Sequence, residues 1–467
     1  MSKSKKEDII VSFSDSSAIE TVTGSNVHVS YKNINIMIEF GLFQGGNMQE
    51  CYSRNSRNFS FKVKELDYVF AMHNHIDHIG LIPLLYKRGC EAKIIIPTGS
   101  KEIMYKMLSN CSFILGSEAE ILTKRSKNSK IYSPIYTQED VDNIMKYIEE
   151  YDMYEVHGLD DLVRFKLISS AHVTNGTSLV LEIKKGQNYK KILYTSDLGN
   201  IRYKTYYCNN LDKIKNADLV ISECTYADKK RSNSNPIDRE KDKEKIYSAV
   251  EQHRKVLIPV FSFHRGQTIA TILYEMYYEK GIDRMIYMDS MLLNDITDIY
   301  KKNFPEFHKV MDWDKIKQIT KKERDVLQNS KEKMIIIASS GSLVGGASVS
   351  WAKKLIEDDR NCIVFCGYQF EGSLGSKLKS KKQKTVNINR KTFKNKVNIV
   401  KLKSLSGHIQ HDDLLEYLSS INCSVVALHH GNENDKLAFK NELKNEYEKL
   451  CKSTKVICPS RSTKIRL

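Results

Sequence analysis

Prolines are scarce in this chain, seven in 467 residues, and its 22 glycines do not gather into long runs. That argues against extended Pro- or Gly-rich linkers, and no internal repeat or low-complexity segment is seen. No stretch of about 18 apolar residues occurs, so no membrane-spanning helix is expected. The charged start, Met1-Ser-Lys-Ser-Lys-Lys-Glu-Asp, is followed only by the short apolar stretch 9–13. That stretch is too short for a secretory core and reads as a first strand. Paired cysteines are missing too. The ten cysteines show no CxxC spacing, and Cys362 and Cys366 stand four apart in an apolar run that reads as core. All ten are expected to be reduced thiols of a cytoplasmic protein.

What is present is length, apolar content and positive charge. A chain of 467 residues is too long for one ordinary core and suggests two domains. At 41% hydrophobic it can bury substantial cores. The net charge of +16 attracts polyanions, nucleic acid among them. Lysine far outnumbers arginine, so A/T-rich codon usage accounts for the charge equally well.

Hydrophobic patterning predicts paired strands at 26–30 and 34–40, then a strand at 66–72 ending in a histidine cluster. Helices are predicted at 79–88, 100–108 and 137–151, the last N-capped by Thr137. A strand is predicted at 93–97, and more at 165–169, 178–183, 191–195 and 219–223. The polar run 229–245 reads as an exposed connection or a first helix turn at a domain boundary. Apolar strands at 255–259, 285–288, 334–338 and 362–367 then alternate with helical stretches, which predicts a parallel sheet flanked by helices. The segment 377–396 carries nine Lys/Arg and no acid. It is either a solvated hairpin or a basic arm on RNA.

Chemistry concentrates in Ala71-Met-His73-Asn-His75-Ile-Asp77-His78. In an extended chain residues two apart point the same way, so His73 and His75 can grip one ion. Asp77 and His78 follow as the chain turns into a helix and can face a second ion. Imidazole and carboxylate are what zinc accepts when a position must stay open for water. A lone histidine at a strand end is usually structural; three with an aspartate in six residues are not.

This HxHxDH run resembles the signature of the metallo-β-lactamase superfamily. Ser170-Ala-His172 is similar to its third motif, and Tyr194-Thr-Ser-Asp197-Leu-Gly199 to its fourth, the metal-bridging aspartate. Glu39, in Ile38-Glu-Phe-Gly-Leu-Phe-Gln-Gly45, stands where relatives usually carry a supporting aspartate. Past residue 220 the resemblance narrows to the β-CASP family. Ile221-Ser-Glu223-Cys-Thr-Tyr226 is similar to its motif A, Ser406-Gly-His408-Ile-Gln-His411-Asp to motif B, and Leu428-His-His430-Gly-Asn-Glu433 to motif C. Glycine-containing pieces at 259–267, 338–346 and 367–375 also match. The nearest likeness is to prokaryotic β-CASP ribonucleases related to the polyadenylation endonuclease, and more distantly to ribonuclease J.

The resemblance implies an α/β fold, an αββα sandwich (1–226 and 401–467) interrupted by a β-CASP domain (227–400). It implies two zinc ions per chain, one on His73, His75 and His172, the other on Asp77, His78 and His430, bridged by Asp197. It implies an activated hydroxide that attacks RNA phosphodiesters, with Asp77 counted among the catalytic groups. His408 would be general acid or phosphate contact, oriented by Glu223. His429 and His411 are rivals. His430 fits better because Gly431 follows it, and His411 reads as a surface residue on the next helix. Ser339, Ser340 and Gly341 after a strand can present N–H groups to phosphate, with Arg265 pairing to the backbone; the same sequences also suit tight turns. A histidine in motif C favours RNA over DNA, and a homodimer is compatible with the family. A silent RNA-binding scaffold and a small-molecule hydrolase are the alternatives.

Overall fold

In the segment Val163–Ser169 every second side chain faces the same way, which puts Val163, Phe165 and Leu167 in one apolar cluster and Ile168 in another. The neighbouring strands divide likewise. Leu179, Leu181, Ile183, Ile192, Tyr194, Leu219 and Ile221 join the first cluster, whereas Val180, Leu193 and Val220 join the second. Both faces of this sheet are therefore covered, one by a second sheet and the other by helices.

The computed structural model describes residues 8–126, 129–201, 206–228, 236–367, 369, 372–380, 384–388 and 391–467. One compact unit comprises Met1–Asn233 with Gly407–Leu467, the other Ser234–Ser406. The first holds two seven-stranded sheets. In spatial order one runs Lys464–Arg466, Ile10–Ser12, Val27–Tyr31, Ile34–Ile38, Tyr68–Phe70, Lys93–Pro97 and Ile148–Tyr151. The other runs Lys455–Ile457, Asn422–Leu428, Asn216–Ser222, Asn188–Tyr194, Thr177–Lys185, Val163–Ser169 and Val156–Gly158. Phe70 and Ile95 of the first sheet meet Phe165, Leu181 and Ile221 of the second in one core. Helices His411–Ser419 and Glu433–Lys449 supply Leu414, Tyr417, Phe439 and Leu443 to the second sheet's outer face. This is the αββα sandwich.

The second unit is built on a six-stranded sheet ordered Ile316–Ile319, Met285–Asp289, Met334–Ala338, Lys255–Pro259, Cys362–Phe365 and Asn398–Lys401, every pairing parallel. Met334–Ala338 and Lys255–Pro259 are buried at every position, as a parallel sheet covered on both faces requires.

Several elements depart from the sequence reading. The helix predicted at 79–88 is two short ones, Ile76–Ile79 and Ile82–Lys87, because Pro83 starts a fresh helix rather than continuing one. The helix predicted at 100–108 runs on to Arg125, its buried stripe continuing through Cys111, Leu115, Ala119 and Leu122. Thr137 does cap a helix, with Asp140 completing the capping box, but it ends at Ile144. Ile148–Tyr151 then pairs with Lys93–Pro97 as an edge strand. The polar run 229–245 yields most of helix Pro236–Gln252; residues 229–235 lie outside the described residues. In the basic segment, Thr385–Ile388 and Lys391–Lys394 form an antiparallel hairpin. Residues 381–383 and 389–390 lie outside the described residues.

Candidate metal centre

The histidine-rich loop leaves the strand Tyr68–Phe70 at the end of the sandwich, where the loops carrying His172, Asp197, Glu223, His408 and His430 also arrive. Close backbone packing holds these loops together. A Cβ on Gly199 would fall 1.9 Å from the carbonyl oxygen of Ala171, so only glycine lets the Asp197 and His172 loops cross. Around the cluster Glu39, Ala171, Ser196 and His430 have left-handed backbones although none is glycine. Each such residue costs on the order of 1 kcal/mol or more and persists only where the surroundings over-determine it.

His73 Nε2 lies 3.1 Å from His75 Nδ1, which lies 3.3 Å from His172 Nε2. Asp197 Oδ2 is 3.8 Å from His73 Nε2 and 3.5 Å from His172 Nε2. Tetrahedral zinc with arms of about 2.0–2.1 Å sets its ligands roughly 3.3–3.4 Å apart, so these four donors suit one ion. Asp197 Oδ2 also stands 3.3 Å from His78 Nε2, and Asp77 Oδ2 is 3.7 Å from His78 Nε2 and 3.6 Å from His430 Nε2. His78 Nε2, His430 Nε2 and Asp197 Oδ1 are buried with no hydrogen-bond partner among the described residues. Buried polar atoms left this way are costly unless something else pairs with them. A divalent cation on each set would satisfy them, so the donor chemistry fits.

The ring nitrogens facing away from the cluster are tied down. Glu39 is fully buried. Its Oε2 is 2.6 Å from His78 Nδ1 and accepts from Tyr194 at 2.5 Å, while its Oε1 accepts from Ser196 at 2.6 Å. Ser196 Oγ in turn stands 3.2 Å from His73 Nδ1. His172 donates from Nδ1 to the Gly407 carbonyl, and Thr225 Oγ1 stands 3.1 Å from His430 Nδ1. Burial holds the His73, His75 and His172 imidazoles well below their ordinary pKa, His75 at about 4, which keeps their lone pairs free. Burial also opposes charge on His78, but Glu39, Asp197 and Asp77 outweigh it and push its pKa up.

His408 lies beside the ligand cluster rather than in it. Its Nδ1 is 3.3 Å from both oxygens of Glu223, and its ring centroid is 4.5 Å from that of His172. Glu223 Oε1 also accepts from the Leu198 N–H at 2.6 Å, so one carboxylate anchors both His408 and the Asp197 loop. Burial disfavours protonated His408, yet the Glu223 and Asp197 carboxylates outweigh it and raise its pKa to about 10.

The rival histidines point elsewhere. His429 Nε2 bonds Ser16 Oγ at 2.8 Å, and its ring packs on Phe13. His411 is not a surface residue. It is buried at the start of its helix, 2.9 Å from Asp412, and packs edge-on against Phe439 of the following helix. The apolar face shared by the two helices draws it inward.

Arg265 and Ser339–Gly341 belong to the second unit, at the C-terminal ends of the adjacent strands Lys255–Pro259 and Met334–Ala338. Ser339 Oγ bonds Ser290 Oγ at 2.6 Å. Ser340 accepts from the Val344 N–H at 3.0 Å and directs its own N–H to the Gly345 carbonyl at 3.4 Å, so it shapes the loop itself. The Gly341 carbonyl accepts from Gln369 at 3.1 Å.

Comparison with known families agrees with this architecture. Residues 266–378 match the β-CASP domain model, and residues 395–459 match the zinc-dependent metallo-hydrolase RNA specificity domain. The chain thus carries the β-CASP domain and the RNA specificity domain of zinc-dependent metallo-hydrolases. Among β-CASP relatives it is 26% identical to Ribonuclease TTHA0252 of Thermus thermophilus, over 90% of this chain and 93% of that one. It is 29% identical to an RNase J-like protein of Methanocaldococcus jannaschii, over 80% of this chain and 84% of the other. Similarity to the transcription termination factor FttA of the same organism is 26%, over 83% of this chain but 62% of the factor. For the Pyrococcus abyssi factor the share is 57%. The chain thus spans about three fifths of the length of these factors. A crystal structure of a protein of unknown function from Enterococcus faecalis covers 98% of the chain with a TM-score of 0.55 at 14% identity, a likeness of fold. The metallo-hydrolase match and the grouped donors together imply use of a divalent metal. Among the described residues no helix is long and apolar enough to cross a membrane.

The sequence alone assigns no role to Tyr194, Ser196, Thr225 or the Gly407 carbonyl, although all four lie inside the motifs named above. Their hydroxyls and carbonyl act through backbone crossings that no local pattern announces.

Proposed function

We propose that this chain is a zinc-dependent ribonuclease that hydrolyses RNA phosphodiester bonds with two ions per chain. The observation that carries the reading is the pair of donor sets, His73, His75, His172 and Asp197 beside Asp77, His78 and His430, with Asp197 Oδ2 only 3.3 Å from His78 Nε2 and three buried donor atoms left unpaired among the described residues. His73, His75 and His172 would hold one ion and Asp77, His78 and His430 the other. Two divalent ions, when bound, supply a hydroxide at neutral pH and neutralise phosphoryl charge. His408 points Nδ1 at Glu223, and its Nε2 would carry a proton toward the leaving oxygen. Its raised pKa keeps that proton on at neutral pH. Glu223 holds the ring in place, and Glu39 does the same for His78. The Ser339–Gly341 loop and Arg265 would contact the RNA backbone, in keeping with the chain's net positive charge. The residues 227–400 would serve as the inserted β-CASP domain. The names of the ribonuclease relatives support RNA as substrate.

The test is incubation of the purified chain with 5′-labelled and internally labelled RNA, with and without a chelator that zinc can reverse. Chelator-sensitive cleavage is the expected result. Zinc-replete protein that binds RNA without cleaving it would instead indicate a scaffold, and turnover of small esters alone a different hydrolase.

A further inference from the structure

Thr225 Oγ1 lies 3.1 Å from His430 Nδ1 and 3.5 Å from the carbonyl oxygen of His430. A carbonyl can only accept, so the hydroxyl proton is directed to it and the oxygen lone pair is left to accept from Nδ1–H. That hydrogen bond selects the tautomer with the lone pair on Nε2. His430 Nε2 is the atom that is buried, unpaired among the described residues and 3.6 Å from Asp77 Oδ2. The other tautomer is open to the ring because a proton on Nε2 would face Asp77 Oδ2 at 3.6 Å, whereas Asp197 Oδ1, 3.3 Å from Nδ1, accepts from Nδ1–H as Thr225 does. Without the hydroxyl, the proton is free to sit on either nitrogen.

The two turns are also locked through their backbones. Cys224 N–H donates to the His430 carbonyl at 3.0 Å, and a Cβ on Gly431 would fall 2.5 Å from the Cys224 carbonyl oxygen. His430 itself has a left-handed backbone with φ of 47°. On the other side, the Thr225 N–H donates to Glu223 Oε2 at 3.2 Å, on the carboxylate that faces His408.

We propose that Thr225 is a positioning residue: its hydroxyl decides which nitrogen of His430 is offered to the second ion, and its N–H ties that choice to the Glu223–His408 pair. This rests on the reading of His430 as a ligand. Thr225→Val removes the hydroxyl at nearly constant shape, Thr225→Ser restores it, and Thr225→Ala is a second deletion should the valine perturb folding.

Two measurements on the full chain test the proposal. Zinc-competition titration should show two classes of site in the wild type. In Thr225→Val and Thr225→Ala one class should weaken roughly 10–100-fold, the usual effect of losing such a partner, while the other is unmoved and Thr225→Ser stays near wild type. Nitrogen-edited NMR of the imidazole rings in metal-free protein should show His430 protonated at Nδ1 in the wild type and in Thr225→Ser, and mixed in the deletions. Unchanged zinc affinity and an unchanged tautomer in folded Thr225→Val would overturn it, as would an equal loss in Thr225→Ser. If the wild type binds no zinc, the ligand reading of His430 has failed on its own, and the tautomer measurement still decides the role of Thr225.

Discussion

His172 donates its Nδ1–H to the carbonyl oxygen of Gly407, 3.0 Å away and 235 positions later in the chain. The bond sets which nitrogen His172 offers to the cluster. It also places the next residue, His408, with its ring centroid 4.5 Å from that of His172. Ligand and proposed proton donor are thus positioned by one backbone segment.

His73→Ala and Asp197→Ala should both lower zinc content and abolish RNA cleavage. Asp197→Ala should be the worse of the two, since its carboxylate stands between both donor sets. Elemental analysis beside a cleavage assay checks this. Normal occupancy with full activity in the Asp197 variant is incompatible with a bridging role.

His408→Ala should keep both ions and the fold, because His408 is not among the grouped donors, yet slow single-turnover cleavage by about 10²–10⁴-fold. Glu223→Gln should have a milder effect with a diagnostic sign. Glu223 is a principal cause of the high His408 pKa, so removing its charge lowers that pKa from about 10. As the proposed proton donor His408 would work protonated, so the alkaline limb of the pH–rate profile should move toward lower pH. A limb that stays in place, or moves upward, removes Glu223 as the tuning group.

Glu39→Asp tests the one departure from the family pattern. The shorter side chain cannot serve His78 Nδ1, Tyr194 and Ser196 with the backbone as it stands, so zinc affinity should fall by roughly 10–100-fold. Glu39→Gln replaces the carboxylate oxygens with a neutral amide and should also weaken binding. Equal affinity in all three proteins, measured by chelator competition, would show that the extra methylene carries no function.

Gly199→Ala should destabilise the sandwich by about 1–3 kcal/mol or more, because the new methyl collides with the Ala171 carbonyl. Thermal melting of the metal-free protein measures it without reference to catalysis, and a melting temperature indistinguishable from wild type would contradict the close crossing.

RNA affinity should fall by orders of magnitude between low and moderate salt, because binding releases counterions from the phosphates and added salt opposes that release. Neutralising Lys384, Lys391 and Lys394 should flatten that dependence if the hairpin touches RNA. An unaltered slope would assign the hairpin to solvent.

Much of the sandwich is written in local pattern. Val163–Ser169 alternates visibly, and HxHxDH declares itself because four donors fall in six residues. What stayed hidden depends on chain crossings. Tyr147 and Ile148 continue an apolar helical period, yet the strand Ile148–Tyr151 forms because Lys93–Pro97 offers a free edge. His411 looked exposed in a polar neighbourhood, and only the packing of two helices shows it to be buried. The hydroxyls of Ser196 and Thr225 are silent in sequence because each meets its histidine from a distant loop.

The first sheet takes an edge strand from far along the chain, since Lys464–Arg466 pairs with Ile10–Ser12. His408 and His430 likewise follow the whole of Ser234–Ser406 in the chain. During synthesis, therefore, a ribosome-bound chain holds His73, His75, His172 and Asp197 long before it holds His408 and His430. Under the proposed function, order of manufacture would act as a safety catch: the nuclease would stay inert beside the messenger that encodes it until His408 and His430 have emerged.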